Sequence, residues 1–433
     1  MCRPPATAAP ASCLVDPTKL SPENQWIADF DVANFAKEIR DLGNELESNQ
    51  GDEDVRHLRK MIAWSNFCGV AGLLTMGFGV NPITPFLLSV FTFTRFSMIA
   101  HHPCHGGYDK CHPSARFNRF RFAVGSLWRR YCDWLDWMLP EAWNVEHNTR
   151  HHYNLSEVTD PDLVEENLAS LRDLNVPVLI KYMNVAFFMT TWKWFYYAPN
   201  TYKELKMARL RKMGLPMPEG VKPEWAVTWK DLLVGGTPFY SLSEFLTVVV
   251  GPYFLYRFVL TPLPLLFLGQ HLDMPDMYSN AVKNLLIAEV LTNVHAFLCI
   301  VTNHAGSDMY RFRSACRPYS GSFFLRQVIA SANYNYGYDL IDFMQGYLNY
   351  QVEHHLWPNL SMRSYQRAAP RVREICEKYG VPYVKESVFV RFKKTIDIAV
   401  GKADMRWFPE DYEKKYLELD AAYEEAKRTK KSS

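Results

Sequence analysis

The sequence predicts an all-α integral membrane protein: four transmembrane helices in two hairpins, interfacial helices beside them, and a cytosolic cap that holds two metal ions. Three observations predict it. Paired runs of about 20 mostly apolar residues are long enough to cross a bilayer, Lys and Arg are distributed asymmetrically among the connecting loops, and histidines gather in short stretches near the ends of the runs. A mean hydropathy of -0.20 is low for a chain that is all membrane, so a large polar part accompanies the crossings. The formal charge of +2 implies no strongly basic face and excludes nucleic acid as the main partner. An aromatic content of 15% suits side chains placed at membrane-water boundaries. The nine cysteines are odd in number, scattered and free of C-x-x-C, as in reduced thiols of a cytosol-facing protein.

Residues 1–58 form a cytosolic N-terminal arm, partly disordered. Its first 20 residues lack the basic and apolar regions of a secretory signal, which leaves a plastid transit peptide as the alternative. Residues 21–54 are acidic and read as a solvated helix or mobile arm. The membrane domain spans residues 59–390. Its first hairpin pairs "MIAWSNFCGVAGLLTMGFGV" (61–80) with "ITPFLLSVFTFTRFSMIA" (83–100), which leads directly into His101. A second hairpin falls at roughly 242–268 and 283–301. Arg257, Glu289 and His295 inside it should face the bundle interior or a polar cavity, because intramembrane charge is costly in lipid. Between the hairpins, "VAFFMTTWKWFYYAP" (185–199) is aromatic and dotted with charge, as in a segment lying in the interface. Basic residues flank the hairpins on one side, whereas "GQHLDMPDMYSN" (269–280) has no Lys or Arg, which puts that loop outside and both termini in the cytosol. Residues 391–433 form a cytosolic tail.

Of 13 histidines, eight lie in "HHPCH" (101–105), "HNTRHH" (147–152) and "HH" (354–355), and a ninth, His304, follows the fourth run in "TNHAG". On helices, His101 and His105, His147 and His151, and Gln351 and His355 are each four residues apart and share a face. His152 and His354 point about 100° away, toward a second ion. Four ligands satisfy one structural zinc, so this many converging imidazoles imply two ions. The ligand type alone accepts Zn, Cu, Fe or Ni. His295 lies roughly 13 Å deeper than His304 along a helix and ranks behind it as the extra ligand. A separate zinc site at Cys104, His105, Cys111 and His112 is the alternative use of the first stretch.

These residues resemble the membrane fatty acid desaturases, whose three boxes read H-x-x-x-H, H-x-x(-x)-HH and H/Q-x-x-HH. "WNVEHNTRHHYN", "DPDL", "NHAG" and "LNYQVEHHLWP" occur in that family's order on its hairpin layout, over roughly residues 60–390. The resemblance implies a non-haem di-iron centre held by His101, His105, His147, His151, His152, His304, Gln351, His354 and His355. Such a centre uses O2 and two electrons to remove two hydrogens from an acyl chain on a lipid or on CoA. Gln351 in place of the first histidine of the third box is similar to the front-end subgroup. Glu146, Asp160, Asp162, Asp339, Asp342 and Glu353 are expected to orient the imidazoles. Two features depart from the family: three residues separate His147 from His151 where two is commoner, and "HPCHGG" is not the HPGG haem motif of a fused cytochrome b5 domain. The expected electron donor is therefore a separate cytochrome b5 with its NADH-dependent reductase, or ferredoxin in a plastid. Arg116, Arg119, Arg129 and Arg130 either dock that donor or anchor lipid headgroups. Lys430 and Lys431 resemble a dilysine retrieval signal, which places the chain in the endoplasmic reticulum, with a plastid membrane as the alternative. The rival enzyme reading is an iron hydroxylase or ketolase acting on a sterol, carotenoid or alkane. A non-catalytic scaffold is the reading from another class, and complete histidine boxes speak against it.

Overall fold

The computed structural model describes residues 16–111, 116–221 and 225–432, with side chains described through residue 429. Most of residues 1–20, His112 and the side chains of Lys430 and Lys431 thus lie outside the described residues. The acidic segment is a regular helix, α1 (Val32–Ser48), started by the Asp31 carboxylate accepting from the Asn34 amide at 3.1 Å. Phe35, Ile39, Leu42 and Leu46 recur at helical spacing and are buried in the cap, while the acidic face remains outside.

Helix α2 (Asp52–Thr75) lies against α3 (Ile83–Cys104). Small residues make the approach possible: a Cβ at Gly69 would meet the Phe91 ring at 2.7 Å, and one at Gly72 would meet Leu88 at 2.7 Å. Helix α3 widens into a π-turn at Arg95–Ala100 immediately before His101. The chain then crosses the cap face to α4 (Pro140–Glu146), which runs into a second π-turn, His147–His151. Helices α5 (Val178–Trp192) and α6 (Ala198–Lys212) are joined through a π-turn at Lys193–Tyr197, where Lys193 is fully buried in an ion pair with Asp136. Helices α7 (Leu242–His271) and α8 (Met277–Asn303) form a hairpin.

Among the described residues three helices, α3, α7 and α8, are long and apolar enough to cross a membrane. The expected first run is the exception. Its helix ends at Thr75, so only about 15 residues from Met61 onward are both apolar and helical, roughly 22 Å against a hydrocarbon core of about 30 Å. The charges inside the second hairpin are buried, as expected. Arg257 Nε donates to Glu289 at 3.0 Å, and the Glu289 carboxylate also accepts from Trp137 Nε1 at 2.8 Å and from the Tyr253 hydroxyl at 2.9 Å.

The cap packs α9 (Gly321–Ile329) between α1 and α10 (Gln351–Leu356), with α11 (Met362–Tyr379) covering α1 and α10. Helices α12 (Val388–Ala399) and α13 (Glu410–Ser432) complete it; Tyr412 and Tyr416 of α13 are buried in the same core as α1. The expected all-α fold needs one correction. Two pairs of two-residue parallel strands, Tyr310–Arg311 with Arg406–Trp407 and Asn333–Tyr334 with Lys385–Glu386, stitch the cap together. Backbone pairs this short and this distant in sequence leave no periodic signal.

Candidate metal centre

Three helix ends deliver the histidines to one place. The end of α3 carries His101 and His105, the π-turn after α4 carries His147, His151 and His152, and α10 carries Gln351, His354 and His355. His304 joins them from just past the end of α8. All nine side chains are buried.

They divide into two groups. His101, His105, His147 and His354 offer ligand atoms within 4.8 Å of one another, and His151, His304 and His355 do the same. His152 lies at the seam, with its ring 4.6 Å from that of His105 and 4.4 Å from that of His355. Adjacent histidines thus part, His354 to the first group and His355 to the second, as the 100° step between neighbours requires. His147 and His151 keep to one side, with rings stacked at 5.1 Å and ligand atoms within 4.8 Å of one another and of Asp162, so these residues link the two groups. The second box is a π-turn, closed by the His152 amide donating to the His147 carbonyl at 3.2 Å. A π-turn brings residues five apart into line, so His147 Nε2 lies 3.2 Å from His152 Nε2, and His151 also reaches the other group. The extra residue of the box is absorbed in this wider turn.

Imidazole nitrogens facing one another with no anion between them are what a cation site requires. His101 Nε2 is 3.0 Å from His354 Nε2, and the buried Nε2 of His105 has no hydrogen-bond partner among the described residues. Burial, reinforced by neighbouring imidazoles, holds His105, His147, His152, His354 and His355 well below the ordinary histidine value, and burial with the His151 charge does the same for His304. These rings are neutral at pH 7 and present lone pairs. His151 is the exception: burial pulls it down, but the Asp160 carboxylate 2.9 Å from Nδ1 outweighs burial and raises it. With Nδ1–H held by Asp160, His151 turns Nε2 to the centre, where a metal ion would displace the proton that the raised value favours. The donor set fits a pair of transition-metal ions.

Gln351 lies between His304 and His355, its amide nitrogen 3.0 Å from Nε2 of each while Oε1 has no partner. An amide nitrogen cannot bind a metal. Rotation of the amide by 180° puts its oxygen toward the second group without moving any other atom.

Of the six carboxylates expected to orient imidazoles, Asp160 does so directly, and Asp162 lies 3.7 Å from the same His151 nitrogen. Glu353 instead accepts from Asn333 Nδ2 and the Tyr383 hydroxyl, both at 2.8 Å, and burial pushes it up to about 7. Asn333 also accepts from the Val352 amide at 2.9 Å, so this network fixes the start of α10. Asp339 binds Lys60 and accepts from Gln366 and Tyr347, and Asp342 accepts from Asn349, Tyr350 and Gln366. Asp339 also meets His57 Nε2 at 3.4 Å, but neither carboxylate reaches a histidine of the centre. Glu146 is buried with Oε2 unpartnered. His295 stays away from the centre, donating Nε2–H to the Met344 carbonyl at 2.6 Å and stacking on Phe93. Among the described residues, Cys104 and Cys111 join no group of metal-binding side chains, and His105 faces the other histidines.

An apolar cavity of about 980 Å³, counting its open mouth, runs onto these histidines. Its walls include Phe96, Phe188, Trp192, Phe297, Ile300 and Val301, and its polar end includes His101, His147, His151, His304 and Gln351. Trp143, which sequence reasoning passed over, stacks on His147 at 4.5 Å and meets the His101 ring edge-on. Its position four residues before His147, on the same helical face, was the available signal.

Helices fit to cross a bilayer, ending in convergent imidazoles at a hydrocarbon-lined cavity, define a membrane enzyme of lipid chemistry. The fatty acid desaturase family model matches residues 77–387, and the chain belongs to that family. It is a fatty acyl desaturase, an oxidoreductase. It is similar to an NADPH-dependent stearoyl-CoA 9-desaturase of Mycobacterium tuberculosis, 24% identical over 85% of this chain and 79% of that protein. Shorter likenesses include Delta(5) fatty acid desaturase A of Dictyostelium discoideum, 27% identical over 24% of each chain, and fatty acid desaturase 3 of Bos taurus, 46% identical over 10% of each. No solved structure matches.

Proposed function

We propose that this desaturase holds two iron ions through His101, His105, His147, His151, His152, His304, Gln351, His354 and His355, and acts on an acyl chain inserted in the cavity beside them. The observation that carries the proposal is the meeting of an apolar cavity with two groups of buried imidazoles. Iron bound there would supply the oxidising chemistry: the chain loses two hydrogens while O2 becomes two waters, with two electrons and two protons from outside. The protein's part is positioning and exclusion of water. Phe188, Trp192, Phe297 and Ile300 fix the depth and path of the chain, so one methylene pair is presented to the centre. Trp143 packs the first group, and Asp160 keeps His151 in one tautomer.

The finer reading includes four crossings, with α2 and α3 as the first hairpin. It is supported by the close contact of the two helices and by exposed Phe67, Val70 and Leu74 on the outer face of α2. The lysine-free and arginine-free loop at 269–280 supports cytosolic termini. Gln351 supports front-end regiochemistry. Electrons would come from cytochrome b5 and a nicotinamide-dependent reductase; the mycobacterial relative is NADPH-dependent by name. Expression in a heterologous host followed by lipid analysis tests the reading. A new double bond between an existing one and the carboxyl end is expected, and it should vanish in His355→Ala; a hydroxylated product, or an unchanged lipid profile, would overturn it.

A further inference from the structure

A second cleft, of about 1590 Å³ counting its open side, lies between α2, α3 and the 116–135 segment and shares no lining residue with the acyl cavity. Four guanidinium groups line it, Arg95, Arg116, Arg121 and Arg129, against a single carboxylate, Asp133. That carboxylate is already paired with Arg116. Arg95 is only 7% exposed; among the described residues it donates to the Asn66 side chain, its Nε has no hydrogen-bond partner, and no carboxylate forms an ion pair with it. Arg129 donates to the backbone carbonyls of Arg121 and Val124. A buried guanidinium without a counter-charge is costly, so this cleft calls for an anion.

The rest of the lining selects what carries that anion. From Asn66 the cleft continues along α2 to Leu73, seven residues or roughly 10 Å away, with Phe91 and Tyr256 beside it. Its charged end is at the cap side of α3 and its apolar end points toward the far end of the helices. Trp128 lines the cleft, and Phe120 and Leu127 adjoin Arg121 and Trp128 in the chain; the three are 76%, 79% and 58% exposed, as in a loop seated in a membrane interface. A water-soluble anion has no use for such a surface. We propose that the cleft binds an anionic phospholipid, its phosphate against Arg95 and Arg129 and one acyl chain along Leu73, Phe91 and Tyr256.

The same contacts separate the two roles open to the basic residues here. Arg119 is paired with Asp109, and Arg130 is buried with its guanidinium on the Trp137 and Val249 carbonyls, both at 2.8 Å, so neither faces a soluble donor as a free charge.

The test titrates the full-length protein in mild detergent with dioleoyl phosphatidylglycerol, with dioleoyl phosphatidylcholine and inorganic phosphate as separate arms, and reads bound lipid by native mass spectrometry. One phosphatidylglycerol per chain should persist under conditions that strip phosphatidylcholine. Arg129→Gln, a change at an exposed side chain that leaves folding intact, should weaken its retention about fivefold, the effect of about 1 kcal/mol per arginine. Arg95→Gln should weaken it further. Equal retention of the two lipids, wild-type retention in Arg129→Gln, or displacement of the lipid by inorganic phosphate alone would overturn the proposal.

Discussion

Replacing Asp160 by Asn removes one charge and almost no volume, and its effect on the metal centre follows from the hydrogen bonds it makes. Asp160 Oδ1 accepts from His151 Nδ1 at 2.9 Å and from the Asp162 amide at 2.9 Å, and Oδ2 accepts from the Ser156 amide at 2.8 Å. Every one of these partners is a donor. An amide in this position must turn its NH2 toward one of them, so either the His151 bond or the Ser156 bond is lost, and the bond that survives loses its charge assistance. A hydrogen bond to a charged group contributes about 1.5–3 kcal/mol. At about 1.4 kcal/mol per factor of ten, the affinity of the group containing His151, His304 and His355 should fall roughly 10- to 100-fold. The group containing His101, His105, His147 and His354 does not touch Asp160 and should keep its ion. Competition between the purified protein and a calibrated ferrous chelator would resolve one weakened and one unchanged site. Wild-type affinity at both sites would refute the role of Asp160, and equal weakening of both would refute the division into two groups.

Three further outcomes follow from the same structure. Glu289→Gln leaves the buried Arg257 without its counter-charge and should cost about 3–5 kcal/mol, seen as a lower melting temperature in detergent; the double change Arg257→Leu with Glu289→Leu should recover most of it, and a neutral single change would remove the ion pair from the account. Ile300→Trp fills part of the acyl cavity and should shift products in a host's lipids toward shorter chains, whereas an unchanged product profile would take the cavity off the acyl path. Metal-free protein should lose stability as pH falls from 7 to 5. The depressed imidazoles of the centre stay neutral in the folded chain while the unfolded chain takes up protons below about 6.5, so their contribution is complete above that pH and lost as pH falls toward the folded values. A melting temperature that is constant or rises over that window would contradict it.

What could be read from the sequence depended on how far apart the interacting residues lie. The histidine boxes were legible because helical spacing places their members within one or two turns, and His304 was separated from His295 by depth along a single helix. The second box was only half legible. Three intervening residues suggested an α-helical face, and His147 does stack on His151, but the chain adopts a π-turn that also brings His152 to His147. The first apolar run was legible as the partner of α3 but not in its helical length, since composition does not reveal that its helix stops at Thr75. The carboxylates were hardest. Asp160 is close enough to the second box to reach it, whereas the preference of Glu353 for Asn333 and Tyr383 depends on a strand pair between distant segments. The acyl cavity was visible only as aromatic composition, because its walls come from α3, α5 and α8 at once.

The central claim is that the nine converging side chains hold two iron ions. Metal analysis of the full-length protein, purified in mild detergent after anaerobic loading with ferrous iron, tests it most directly. Close to two iron atoms per chain are predicted for the wild type, with His355→Ala losing the second ion and remaining in the membrane fraction. One zinc and no iron, or two irons undiminished in His355→Ala, would contradict it.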